Sequence, residues 1–256
     1  MEFNFLHVLL LFVTGIAAGF LNTVAFGGSL LALPMLIFLG LPTAVANGTN
    51  RVAIFCQNFS AIVGFRRKGV SDFGYSILLA IPAVIGAAIG ATIAVDIRDA
   101  VFNLILAAVM ITMLVLTLIN PTERLKNRME SNDTRSKIIS MVVFFFIGIY
   151  GGFIQAGVGL LVITALRLLT GIDLVRTNAI KVFVIFFYTV VALGIFIIKD
   201  KVNWYLGPTL AIGNACGAWL GSHWAVEKGD KWIKVVLIVA VVAFAIRLVW
   251  LSVSGS

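Results

Sequence analysis

Residues 19–51 read GFLNTVAFGGSLLALPMLIFLGLPTAVANGTNR. The stretch is apolar enough for a bilayer. Yet it carries a Gly27-Gly28-Ser29 break, Pro34, Pro42 and an Asn-Gly-Thr-Asn cluster at 47–50. Lipid cannot hydrogen-bond a freed backbone, so an interrupted helix at membrane depth survives only inside protein or beside a hydrated cavity. The same design returns at Gly148 to Val182. Paired Gly/Pro-interrupted apolar segments in two halves point to a transporter's binding site.

The rest of the chain fits that reading. It has 256 residues, 61% of them hydrophobic and 12% charged, with a mean hydropathy of +1.10. Soluble domains average about 25% charged residues. With half that charge the chain has no polar coat for water, and it reads as an integral membrane protein. Ten apolar runs fill it: 5–26, 28–40, 48–65, 73–95, 100–119, 138–155, 157–169, 177–198, 204–226 and 231–252. A span needs about 20 apolar residues, so no room remains for a soluble catalytic domain. All the runs are expected to be helices.

The net charge of +8 is read as orientation signal in short cytoplasmic loops, with no nucleic-acid partner. Cys56 and Cys216 lie in apolar runs and are expected to be small buried hydrophobes. The N-terminus lacks the basic lead of a secretory signal, so the first run is read as a retained span. His7 and His223 stand alone; His7 is placed near the membrane surface, and His223 is read as structural with proton transfer as the alternative role.

One offset organises the chain. Asn47 and Asn178, Gly86 and Gly217, Gly90 and Gly221, and Asp99 and Asp230 all pair at a separation of 131. Gly19 pairs with Gly152, and Phe20 with Phe153, at 133. The sequence therefore divides into a first transmembrane repeat (1–119), a polar cytoplasmic linker (120–137) and a second repeat (138–256). The runs 28–40 and 157–169 are too short for a roughly 30 Å core and look like half-helices, broken or re-entrant at the repeat interface. Five segments per half make the halves inverted. Placing Arg66-Arg67-Lys68 inside then puts the linker, Arg167, Arg176, Lys228 and Lys231 inside too. A parallel arrangement leaves many of these outside, against the positive-inside rule. Both termini are expected outside. The Gly86-x-x-x-Gly90 and Gly217-x-x-x-Gly221 faces suit close helix packing within the protomer, with a homodimer contact as the alternative use.

All 11 acidic residues lie in tails, loops or span ends. The charges at membrane depth are positive: Arg51 and Lys181. Such charges face the bundle interior or a cavity and are functional candidates. Helix starts expose unpaired N–H groups and a partial positive charge, which suits anions. Gly27, Gly28 and Ser29 open one half-helix; Gly157 and Gly159 open its counterpart. Asn47, Thr49 and Asn50, with Asn178 and Lys181, open the following spans, and Asn22 and Gln155 precede the two breaks. These residues form a candidate site for a small anion.

The paired motifs GFLNTVAFGGSLLALPMLIFLGLPTAVANGTN and GFIQAGVGLLVITALRLLTGIDLVRTNAIK resemble the TauE/SafE sulfite-exporter family of membrane transporters. The likeness rests on Gly27-Gly28, Pro34 and Ala46-Asn47-Gly48-Thr49 and covers almost the whole chain. In the second half Ala179-Ile180 departs from the Gly-Thr pattern, and Lys181 follows instead. The resemblance implies transport of sulfite, sulfonates or related organosulfur anions across the bacterial inner membrane. The expectation is an all-α polytopic secondary transporter, not an enzyme, with no cofactor. Its partners would be the anion, lipid and a coupling proton or sodium ion. No G-x-x-x-x-G-K-[ST] motif occurs, so ATP is not expected to drive it. The alternatives are an intramembrane hydrolase or phosphatase, which would need acidic or histidine groups gathered at depth, and a non-transporting assembly subunit.

Overall fold

The computed structural model describes residues 5–24, 28–67, 69, 72–119, 133–224 and, singly, 242, 246, 247 and 250. These residues form nine helices and no strand. They are α1 (Phe5–Val24), α2 (Ser29–Phe38), α3 (Thr43–Arg67), α4 (Phe73–Asp96), α5 (Asp99–Ile119), α6 (Thr134–Phe153), α7 (Val158–Thr170), α8 (Leu174–Ile198) and α9 (Leu206–Trp224). The run 231–252 lies outside the described residues apart from its four single positions.

Among the described residues, five helices are long and apolar enough to cross a membrane: α1, α4, α5, α6 and α8. On α4, Ile77, Ile81, Ile85, Ile89 and Ile93 form an exposed stripe at four-residue spacing, the signature of a face turned to lipid. α3 is not among the five. Asn47, Gly48, Thr49, Asn50 and Arg51 interrupt its apolar run, and all five are buried. α3 is a central helix surrounded by protein, packed on α2, α4, α5, α8 and α9.

Short polar side chains set the helix starts. Asp72 accepts from the N–H of Tyr75, and Asp133 from that of Ser136. Asp173 caps α8 through the N–H groups of Val175 and Arg176, and Asn203 caps α9 through those of Tyr205 and Leu206. Each oxygen satisfies donors that helix geometry leaves orphaned. Asp133 caps α6 at Thr134, so the last linker residues belong to that helix. α3 begins at Thr43, five residues before the apolar run suggests. Asp99 of α5 accepts from both the Thr43 hydroxyl (2.6 Å) and its N–H (3.3 Å). Asn47, Thr49 and Asn50 therefore sit inside α3 rather than at its start, and Asn178 and Lys181 likewise sit inside α8.

Helix pairing follows glycine. A Cβ at Gly86 or Gly90 of α4 would lie 2.1 or 2.0 Å from the carbonyl oxygen of Phe145 or Ile149 on α6. Gly148 and Gly152 of α6 are as tight against Ala83 and Ala87. Gly15 and Gly19 of α1 meet Leu210 and Asn214 of α9, while Gly213 and Gly217 meet Phe12 and Ile16. Glycine lets backbones approach this closely. The described glycines of both small-residue faces, Gly86, Gly90 and Gly217, are thus covered by the chain's own helices.

The pairings exchange partners between the halves. The fourth helix of the first half, α4, packs into a core with α6, α7 and α8 built around Leu79, Phe144, Val162 and Tyr188. Reciprocally, α9 packs on α1, and its Leu206 and Leu210 join a core with α1, α2, α3 and α5. At the centre α3 and α8 run antiparallel. Phe55 stacks on Phe186 at 5.1 Å, while Gly48 at the other end of α3 abuts Lys201 and Phe196. Cys56 and Cys216 are exposed on helix surfaces, not buried as the apolar runs suggest.

Candidate functional site

The two breaks approach a shared cavity. After α6, Gly157 adopts φ +73°, a left-handed conformation that favours glycine, and a Cβ there would meet Met113 Cγ at 2.5 Å. The turn starts α7 with its first N–H groups unpaired in the helix. Gly159 follows on that first turn, with open space in front of it: a Cβ would find only Lys181 Cδ, at 3.7 Å. At the other break Gly28 precedes α2 and lies against α1. A Cβ there would fall 1.7 Å from the Ala18 carbonyl oxygen and 2.8 Å from Asn22 Cγ.

Asn22, Gln155, Gly159 and Lys181 line one cavity of about 80 Å³, together with Gln57, Asn58, Ile54, Ala61, Val182 and Ile185. A water needs roughly 10–15 Å³ on this measure, so the space suits a small polyatomic ion or a few waters. Among the described residues its wall carries one cation, four side-chain amides and the start of α7, and no carboxylate. Lys181 Nζ donates to Asn178 Oδ1 at 2.8 Å, which holds the ammonium over the first turns of α8.

Arg51 lies elsewhere. It is fully buried and does not line the cavity. Its Nη1 donates to the Gly151 carbonyl oxygen at 3.1 Å and to Gln155 Oε1 at 3.4 Å. Its Nη2 donates to the Gly152 carbonyl oxygen and to Asn47 Oδ1. Asn47 Nδ2 donates to the Phe153 carbonyl oxygen at 2.7 Å, and Phe196 lies under the guanidinium at 4.9 Å. These three carbonyls end α6, where the helix dipole is negative. Arg51 and Asn47 therefore close the carbonyl end of the second break, while the cavity faces its N–H end.

The other candidates divide in the same way. Thr49 is buried and accepts from the Asn203 N–H at 2.9 Å, tying α3 to the loop before α9. Asn50, the repeat counterpart of Lys181, is buried, and its Nδ2 has no partner among the described residues. Gly27 and the side chains of Ser29 and His223 lie outside the described residues. Gln57, Asn58 and Asn214 did not stand out in the sequence. Gln57 Oε1 accepts from Asn22 Nδ2 (3.2 Å) and Asn214 Nδ2 (3.0 Å). The i, i+3, i+4, i+7 spacing of Ile54, Gln57, Asn58 and Ala61 was the available signal for one cavity-facing stripe.

Lipid-faced helices around a polar cavity at two interrupted segments define an all-α polytopic membrane protein. The model of the family described as sulfite exporter TauE/SafE matches residues 11–248, and the chain belongs to that family. It is a membrane transporter. A probable membrane transporter protein of a Sinorhizobium species is 29% identical over 93% of this chain and 90% of its own length. Probable membrane transporter proteins of Haemophilus influenzae and Escherichia coli K12 are each 25% identical, over 90% and 94% of this chain and 89% and 88% of theirs. No solved structure matches.

Proposed function

We propose that this transporter carries a small anion, a sulfur oxyanion such as sulfite or an organic sulfonate, across the bacterial inner membrane as a multi-pass secondary carrier. The observation that carries this reading is the cavity wall, where Lys181, amide groups and the α7 N-terminus meet with no carboxylate among the described residues. Each of these favours negative charge. The cavity is about the size such a solute needs. Asn22, Gln155, Gly159 and Lys181 are its substrate-contacting residues. Arg51, Asn47 and Thr49 shape it from behind.

Alternating access between two inverted repeats is the mechanism. The antiparallel packing of α3 against its counterpart α8 supports inversion. The α3 residues on the cavity run from Ile54 to Ala61, all on one side of Arg51. On the other side Gly48 packs against Lys201 and Thr49 binds Asn203. The cavity thus belongs to a state open toward the Arg66–Arg67 end of α3 and shut at the other. A proton or sodium ion supplies the coupling.

Purified protein in liposomes tests the reading. Sulfite and alkyl sulfonates should enter faster than sulfate and carboxylates, and faster than through protein-free membranes. Lys181→Ala should abolish the uptake. Equal leakage of all anions with and without protein would end the proposal.

A further inference from the structure

We infer that Gln57 is the residue that sets the charge preference of the cavity, held by a three-amide cluster so that its N–H₂ group is offered to the solute. The inference rests on the anion-site reading above and goes beyond it by naming a determinant outside both helix breaks.

Three helices build the cluster. Asn22 comes from α1, Gln57 from α3 and Asn214 from α9. Asn214 is buried, so its amide is fixed by packing. Both asparagine amides donate to a single atom, Gln57 Oε1, at 3.2 and 3.0 Å. A carbonyl oxygen has two lone pairs, so this acceptor is filled. The same side chain lines the cavity that Lys181 also lines. No described residue accepts from its Nε2, so the donor end of the amide is the one left for a bound solute.

The arrangement recurs at Gln155, whose Oε1 is occupied by Arg51. Of the four amides that line the cavity, Gln57 and Gln155 thus have their oxygens engaged by donors. An amide whose acceptor is spent offers a cation no ligand. An anion gains a charge-assisted hydrogen bond there.

The chemistry of Gln57 makes the inference separable from a packing role. Glutamate is close in shape and keeps an oxygen for Asn22 and Asn214, but it replaces the donor with a second acceptor and adds negative charge. Methionine keeps the volume and loses both functions. If Gln57 serves the solute, initial uptake of an alkyl sulfonate into liposomes should fall in the order wild type, Gln57→Met, Gln57→Glu. The Gln57→Glu variant should lose affinity by about tenfold or more, the scale of one hydrogen bond to a charge. If Gln57 only holds helices together, Gln57→Glu will match wild type and Gln57→Met will be the damaged protein, which overturns the inference while leaving the anion site standing. Melting temperatures of both variants in detergent identify any loss caused by unfolding. Should Gln57→Glu not fold, Asn214→Leu provides the second test. Freed from one donor, Gln57 loses its fixed orientation, so KM for the sulfonate should rise while the maximal rate holds; an unchanged KM counts against the inference. Wild-type protein that moves no anion at all removes both this inference and the reading beneath it.

Discussion

The guanidinium of Arg51 and the carbonyl oxygen of Gly151 meet at 3.1 Å, although 100 positions separate them in the chain. Gly151 belongs to the last turn of α6. Its carbonyl has no helical partner there, and the residue is buried. A fixed cation from the other half of the molecule takes that place. Arg51 and Lys181 therefore do different work. Arg51 ends a helix and Lys181 faces the cavity.

Arg51→Met should destabilise the protein by about 2–3 kcal/mol or more, because it strands buried carbonyl oxygens whose bonds to a charged donor are worth that much. Arg51→Lys should recover only part of the loss, since an ammonium lacks the planar fork that spans two acceptors. Thermal unfolding in detergent reads both. Lys181→Ala should unfold near the wild-type temperature while losing transport. Matching melting curves for Lys181→Ala and Arg51→Met would refute this division of labour.

Glycine substitutions should separate by position on a helix. Gly90→Ala places a Cβ 2.0 Å from the Ile149 carbonyl oxygen and should cost about 1–3 kcal/mol as overpacking. Gly64 and Gly194 have nothing within 4 Å of a built Cβ. Alanine at either should stabilise by about 0.5–1 kcal/mol, the helix-interior penalty of glycine. Expression level and melting temperature across the three variants check the contrast.

At the second break, Gly157→Ala and Gly159→Ala should fail in different ways. Gly157 combines positive φ with contact against Met113, so alanine there should lower the melting temperature. Alanine at Gly159 meets only Lys181 Cδ at ordinary contact distance. It should fold normally yet raise KM for the anion, because it stands on the cavity wall. A reversed pattern, with Gly159→Ala unstable and Gly157→Ala impaired only in uptake, would be incompatible with the geometry.

The one ion pair among the described residues, Arg176 Nη2 to Asp72 Oδ2 at 2.8 Å, is partly open to solvent. Arg176→Ala should cost no more than about 1 kcal/mol, and less in high salt. Asp72→Ala should cost roughly 1 kcal/mol more, since Asp72 also caps α4 through the Tyr75 N–H and that cap is lost with it. Melting temperatures at low and high salt distinguish the two terms.

Much of this was legible in the chain itself. Polar and glycine positions are scarce in so apolar a sequence, so the offset linking Asn47 to Asn178 and Gly86 to Gly217 stands out. The helical class and both interruptions follow from the same scarcity. What the sequence hides is depth. Arg51 and Asn58 are seven residues apart on one face of α3, about 10 Å along the axis. One closes a helix and the other lines the cavity, and nothing in their spacing says which. The partner of each glycine face is hidden for a related reason: in lipid, close packing needs only small residues, and α1, α4, α6 and α9 all provide them. Gln57 and Asn214 escaped notice because neither has an amide counterpart at the repeat offset, where Tyr188 and Ala83 stand.

The exchange of fourth helices also constrains biogenesis. When α4 leaves the translocon its glycine groove has no mate, because α6 has yet to be made. α1 must wait longer still, until α9 emerges after the seven helices between them. Neither half, severed and produced alone, would bury its own small-residue surfaces. The nine helices can reach their final arrangement only after α9 has been inserted, and a product truncated before it would present bare grooves to the membrane's quality-control proteases.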